Sequence, residues 1–304
     1  MKRILKRVAL GLLVVLVVVL GAGGVFVATQ ASAFDASMDK VYDVPLPNVT
    51  RSTDEAVIAR GKHLAESVAG CAIRDCHGID LGGGRTVEAG PLMTFTGPNI
   101  TSGGLGAAYS DAELARIIRH GIKKDGRSVR FMPAQDIAWL PEGDVVAIVS
   151  YVRTLPALDK PNGPVVMKTL GKVLDRRDQV VLDVARRIDH TKNEVVPAPA
   201  PTADYGRFLA KLCTGCHGDR LSGGRIPGTP SSIPVPLNIT PDASGIASWT
   251  YEDFARLLDE GIKKNGHTLD PFMPQEAFKK LDATERRALW EYLRSLPPTP
   301  FGNR

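Results

Sequence analysis

Cys213, Cys216 and His217 stand in the order C-x-x-C-H, a spacing in which two thiols and an imidazole serve one haem. The thiols form thioethers with the two haem vinyl groups, and the adjacent imidazole is then held against the iron as an axial ligand. The competing reading is a disulfide or zinc site that precedes a histidine. A second set, Cys71, Cys76 and His77, keeps the Cys-His pair but widens the spacing between its cysteines from C-x-x-C to C-x-x-x-x-C. One thioether and the axial histidine are expected to survive that change, while Cys71 has to reach the other vinyl through a wider loop. A haem-free site closed by a Cys71–Cys76 disulfide is the alternative.

The opposite axial ligand is expected far downstream. Met132 follows His77 at almost the same separation as Met273 follows His217, and each lies inside Phe-Met-Pro. A methionine on a core face is usually packing only, but recurrence at matched positions favours ligation. Met93, which follows His77 more closely, is a rival for the first site. His63, His120, His190 and His267 have no histidine at the corresponding position of the other set and are expected to be non-ligands. His/Met ligation fills both axial positions and raises the reduction potential. It leaves no open position for oxygen or peroxide, so the expected chemistry is outer-sphere electron transfer.

The elements that position these residues also recur. CHG at 76–78 and 216–218, NIT at 99–101 and 238–240, GIKKDG and GIKKNG, FMP, and YVRTLP and YLRSLP repeat in the same order at a nearly constant offset. An offset that holds over a domain's length means duplication. Each copy predicts a first helix (Thr53–Val68, Ala203–Leu212) leading into the cysteines. A second helix opens on a capping signal (Ser110-x-x-Glu113, Thr250-x-x-Asp253) and closes near Gly121 or Gly261. A third helix (Glu142–Leu155, Asp282–Leu296) is stopped by proline. No strand-like alternation of any length is visible, so the expected class is all-α, with two tandem domains over residues 55–156 and 203–304. The connector 157–202 predicts a helix near Met167–Ile188 and a stiff VVPAPAPT linker.

The formal charge of +5 comes largely from Lys2, Arg3, Lys6 and Arg7, and from Asp35 onward basic and acidic residues nearly balance. The basic pI is therefore not a nucleic-acid footprint. Those four cations precede an apolar run from Val8 to Val27, about the 20 residues a helix needs to cross a bilayer, and they set the N-terminus inside and the rest of the chain outside. Residues 1–34 are expected to be a retained anchor. A cleaved signal peptide competes with it, since Ala31-Ser32-Ala33 fits a cleavage site.

Taken together, CHGxxLxGG, NIT, SGIASWT, GIKKxG, FMP and YxRxLP resemble the class I cytochromes c. Among these they resemble the membrane-anchored dihaem cytochromes, and they are similar to the cytochrome c subunits of bacterial alcohol, aldehyde and gluconate dehydrogenases. The resemblance covers about residues 55–156 and 203–298, and the third C-x-x-C-H of three-haem members is missing. It implies two tandem class I cytochrome c domains behind a transmembrane helix, with two covalently attached haem c groups. It also implies that the Asn-Ile-Thr segments and Trp249, with Tyr109 opposite it in the first copy, wall the haem crevices; plain core aromatics are the competing reading. The expected role is electron transfer on the extracytoplasmic face of a membrane. The donor would be a dehydrogenase or quinol-oxidising complex, and the acceptor a cytochrome or oxidase. A dihaem enzyme such as a peroxidase or thiosulfate-oxidising cytochrome is the alternative, and a structural or sensory subunit a third.

Overall fold

The chain order is α1 (Lys2–Asp39), α2 (Glu55–Glu66), β1 (Thr86–Glu88), β2 (Met93–Thr96), α3 (Asp111–His120), α4 (Ala134–Ile137), α5 (Glu142–Thr154), β3 (Val165–Met167), α6 (Thr169–Arg176), α7 (Ala203–Leu209), α8 (Lys211–His217), α9 (Tyr251–Glu260), α10 (Gln275–Phe278) and α11 (Ala283–Ser295). This is a computed structural model that describes residues 1–192 and 194–304. Asn193, inside the expected connector, lies outside the described residues.

α1 is long and apolar enough to cross a membrane, and none of its apolar stretch is buried in the protein. A signal sequence fits the same description. The helices of the two halves follow from matched local signals. Ser110 with Glu113 and Thr250 with Asp253 form reciprocal capping boxes at the starts of α3 and α9. Both helices end on a left-handed glycine, Gly121 at φ 62° and Gly261 at φ 69°, a conformation that costs a residue without a Cβ little. α2 crosses α5, and α7 crosses α11, at a glycine. A Cβ on Gly61 would stand 1.9 Å from the Ala147 carbonyl oxygen, and one on Gly206 1.9 Å from that of Ala288. These crossings centre one contiguous hydrophobic core that runs through both halves, from Leu64, Val68 and Ile148 to Phe208, Leu289 and Trp290.

Two expectations require correction. The class is helix-rich but not all-α, because β1, β2 and β3 form an antiparallel sheet in which Met93 faces Met167. Strands this short cannot show an alternating pattern, and the third joins from far downstream in the chain. The connector helix expected over Met167–Ile188 is confined to α6. Asp178 takes a left-handed φ of 58°. The buried Asp175 carboxylate accepts the backbone N–H groups of Leu182 and Asp183 at 2.8 and 3.1 Å, and so draws the chain back instead of letting the helix continue. A second, smaller core lies under this segment, where Phe34 and Met38 of α1 meet Leu92, Met93 and Leu182.

Candidate functional site

The two cysteine–histidine segments are built differently. Cys213, Cys216 and His217 lie on α8, where spacing by three places both thiols on one face. Cys71–His77 is a series of turns in which the His77 amide donates to the Cys71 carbonyl at 3.2 Å. The wider loop is therefore folded back on itself. All four cysteines are free thiols, so the disulfide alternative at Cys71–Cys76 is not formed. Burial pushes Cys71 and Cys213 up to about 12 and Cys76 up to about 11, and it raises Cys216 as well.

Beyond the cysteines several bonds recur in both halves. His77 donates Nδ1–H to the Pro98 carbonyl at 2.9 Å, and His217 donates to that of Leu237 at 2.7 Å. A carbonyl only accepts, so the Nδ1–H tautomer is fixed and Nε2 is the ring atom left available to a metal. Burial lowers both imidazole pKa values and favours the neutral form. Leu81 and Leu221 follow in left-handed conformations, φ 59° and 57°, and their carbonyls accept the N–H of Ile100 and of Ile239 at 3.0 Å each.

The Asn-Ile-Thr turns adjoin the carbonyls that hold the histidines. Asn99 Oδ1 accepts from the Thr101 amide and hydroxyl at 3.0 and 2.7 Å, while its Nδ2 donates to the Leu158 carbonyl. Asn238 does the same with Thr240 and the Thr299 carbonyl. The arginine of YxRxLP holds the loop beside Tyr109 or Trp249: Arg153 donates to the Gly106 and Tyr109 carbonyls, Arg294 to those of Ile246 and Ala247.

The two methionines sit in inverse γ-turns. Ala134 N–H reaches Met132 O at 2.7 Å around Pro133 (φ −79°, ψ 54°), and Gln275 N–H reaches Met273 O at 2.8 Å around Pro274 (φ −76°, ψ 67°). Both side chains pack on the main core, as do the cysteines Cys71 and Cys213. Met93 instead lies in the smaller core, paired across the sheet with Met167. Of the remaining histidines, His120 and His190 bring their Nδ1 atoms to 3.3 Å of each other.

The halves meet with these segments facing. α4, which follows Met132, packs on α8, and the Arg74 amide donates to Glu276 of α10, which follows Met273. Asp136 of α4 places Oδ2 4.0 Å from where a Cβ on Gly215 would stand, and burial pushes its carboxyl up to about 7. Trp139 meets Phe208 with ring centroids 5.4 Å apart, and at the corresponding place of the other half Lys280 pairs with Glu66 at 3.0 Å. Sequence reasoning did not find the role of His63, whose Nε2 is 2.9 Å from the buried Glu285, with Arg60 3.9 Å from the same carboxylate. Asp282 adds a third possible ligand atom there, but the guanidinium already supplies the positive charge, and an ion pair is the better description. A lone histidine whose partner lies in the other half of the chain carries no local signal.

The hydrogen bond to Glu285 raises the His63 pKa against the opposing effect of burial. Stabilisation from a raised pKa is complete below the unfolded value, about 6.5, and is lost as pH rises through the folded one. The gap in thermal midpoint between the protein and His63→Gln is therefore expected to be largest near pH 5.5 and to shrink toward pH 8.5.

Residues 204–297 match the cytochrome c family model. The chain is 35% identical over 94 residues to the gluconate 2-dehydrogenase cytochrome c subunit of Pantoea cypripedii, covering 29% of this chain and 21% of that protein. It is 34% identical over 107 residues to the cytochrome c subunit of alcohol dehydrogenase (quinone) from Gluconobacter oxydans, covering 33% and 22%. It is 32% identical over 124 residues to the fructose dehydrogenase cytochrome subunit of Gluconobacter japonicus, covering 38% and 26%. The chain thus spans only about a quarter of the length of these relatives. Residues 204–297 form a cytochrome c domain, the chain is homologous to cytochrome c subunits of dehydrogenases, and the cytochrome c family implies covalently bound haem c.

Proposed function

We propose that this chain is a dihaem c-type cytochrome that carries electrons at the extracytoplasmic face of a membrane. Cys213 and Cys216 would attach one haem, with His217 and Met273 as axial ligands. Cys71 and Cys76 would attach the other, with His77 and Met132. The observation that carries the reading is a recurrence in the half that lies outside the family match. There the second half's histidine–carbonyl bond, left-handed leucine, Asn-Thr clamp and methionine γ-turn all return. The donor set suits the group: protonated thiols for thioether formation, a neutral imidazole with Nε2 available, and a soft thioether sulfur.

When bound by these residues, a haem would supply one-electron exchange without bond making. The residues around it set how that exchange proceeds. The Pro98 and Leu237 carbonyls hold the rings in one orientation, and the prolyl γ-turns hold the sulfurs in place. Placement of α4 against α8, and of Arg74 against α10, supports transfer between the two sites within one chain. α1 would anchor the protein. Similarity to subunits of gluconate, alcohol and fructose dehydrogenases supports a dehydrogenase, or another quinol-oxidising complex, as donor. A cytochrome or oxidase would be the acceptor.

The test is a potentiometric titration of the purified full-length protein, followed in the visible absorption of low-spin haem. Two one-electron components are expected. Met273→Leu is expected to move one of them to lower potential by about 0.1–0.3 V, within the roughly 0.8 V that axial ligands span, and to turn half of the ferric haem high-spin. A wild-type protein already half high-spin would overturn His/Met ligation at one site.

A further inference from the structure

α1 does not stop where its apolar run stops. At 1.5 Å per residue, Val8–Val27 spans about 30 Å, the hydrocarbon thickness of a bilayer. The helix continues unbroken to Asp39, and its last turns are built into the protein. Phe34 and Met38 are 1% and 7% exposed. Lys172 of α6 lies 2.7 Å from both Asp35 carboxylate oxygens, and the Ser37 hydroxyl donates to Asp183. α6 therefore rides on the helix, with Thr169 bordering a shallow hollow formed with Val27, Ala28 and Ala31. The headgroup layer adds about 5–7 Å beyond the hydrocarbon, roughly one turn of helix, so the start of α6 falls within it.

The surface at that level is the edge of the small sheet and the first turn of α6. Met167 faces the core, and so Val166, its neighbour on a strand, faces out and is 50% exposed. Leu170 is 39% exposed. Lys168, Lys172, Arg176 and Arg177 flank this pair. Lys168 reaches Glu88 and the Gly90 carbonyl, and Lys172 reaches Asp35. The one acid of α6, Asp175, is buried and paired with Arg186. Exposed apolar side chains in a segment that carries four cations and one buried, paired acid suit an anionic lipid surface.

We propose that β3 and α6 form a second membrane contact, with Val166 and Leu170 seated in the headgroup layer beside α1. The contact follows continuously from the span and rests on the reading of α1 as a membrane helix. It holds the first haem-binding half in one orientation over the bilayer, where a flexible tether would let it tumble.

The experiment uses full-length, haem-loaded and reduced protein in vesicles of phosphatidylcholine and phosphatidylglycerol. Nitroxide labels are placed singly at Val166→Cys, Leu170→Cys, Val15→Cys and Phe301→Cys, and collision with oxygen is compared with collision with a water-soluble nickel chelate. Labels at 166 and 170 are expected to favour oxygen several-fold more than the label at 301, as does the label at 15. If 15 favours oxygen while 166 and 170 match 301, the docking is overturned and the anchor stands. If 166 and 170 are shielded from both reagents, protein covers them and the lipid contact is overturned. If 15 is open to the nickel chelate, the anchor reading fails, and the docking with it.

Discussion

The purified protein is expected to carry two covalent haems per chain. The count should fall to one when Cys213 and Cys216 are both replaced by alanine, to one when Cys71 and Cys76 are, and to none in the fourfold variant. Haemochrome absorbance against protein mass, with intact mass alongside, reads this directly. The effect is large because the attachment is covalent and because Cys71, Cys213 and both methionines pack against the same core. The Cys71/Cys76 pair is the more informative test, since its wider spacing still brings two free thiols into surroundings that raise both pKa values by burial. A wild-type protein with one haem per chain would make the first half a haem-free partner of the second.

Gly206→Ala is expected to lower the thermal midpoint by on the order of 8 °C, from a destabilisation of about 3 kcal/mol. The added Cβ would stand 1.9 Å from a backbone carbonyl oxygen, and no rotamer relieves a clash with backbone. α7 and α11 would have to separate, and that opens the core around Phe208 and Leu289. Gly61→Ala is expected to do the same at the α2–α5 crossing. Gly143→Ala is the control: it lies exposed on α5 with nothing within 4 Å of its Cβ position, and it is expected to stabilise by about 0.5 kcal/mol. Differential scanning calorimetry separates the three outcomes. An unchanged midpoint for Gly206→Ala would mean that the helices do not cross there.

Much of the candidate site was legible beforehand because its signals are short. Cys213-x-x-Cys216-His217 falls within two helical turns, Phe-Met-Pro is a single tripeptide, and each capping box fits in one turn. Their recurrence at a nearly constant offset supplied the expected domain plan. The sheet was not legible, since Val165–Met167 has no partner nearby in sequence and gains its strand conformation only by meeting Met93–Phe95. Nor was the separation of Met93 from Met132. Both are apolar, both follow His77, and only packing sends one to the small core and the other to the large one.

By itself, then, the sequence determined the two cysteine–histidine segments, the recurrence of short motifs around them, the helix caps and the apolar N-terminal span. Each depends on groups close together in the chain, whose geometry the backbone dictates. Tertiary structure alone decided that α4 faces α8, that His63 meets Glu285 across the two halves, and that the last turns of α1 are buried with α6 instead of leading into a free tether. Those contacts join groups separated by long stretches of chain. Apolar side chains and single charges do not encode a partner at that distance, and the choice among many is made by the shape and burial of the folded whole.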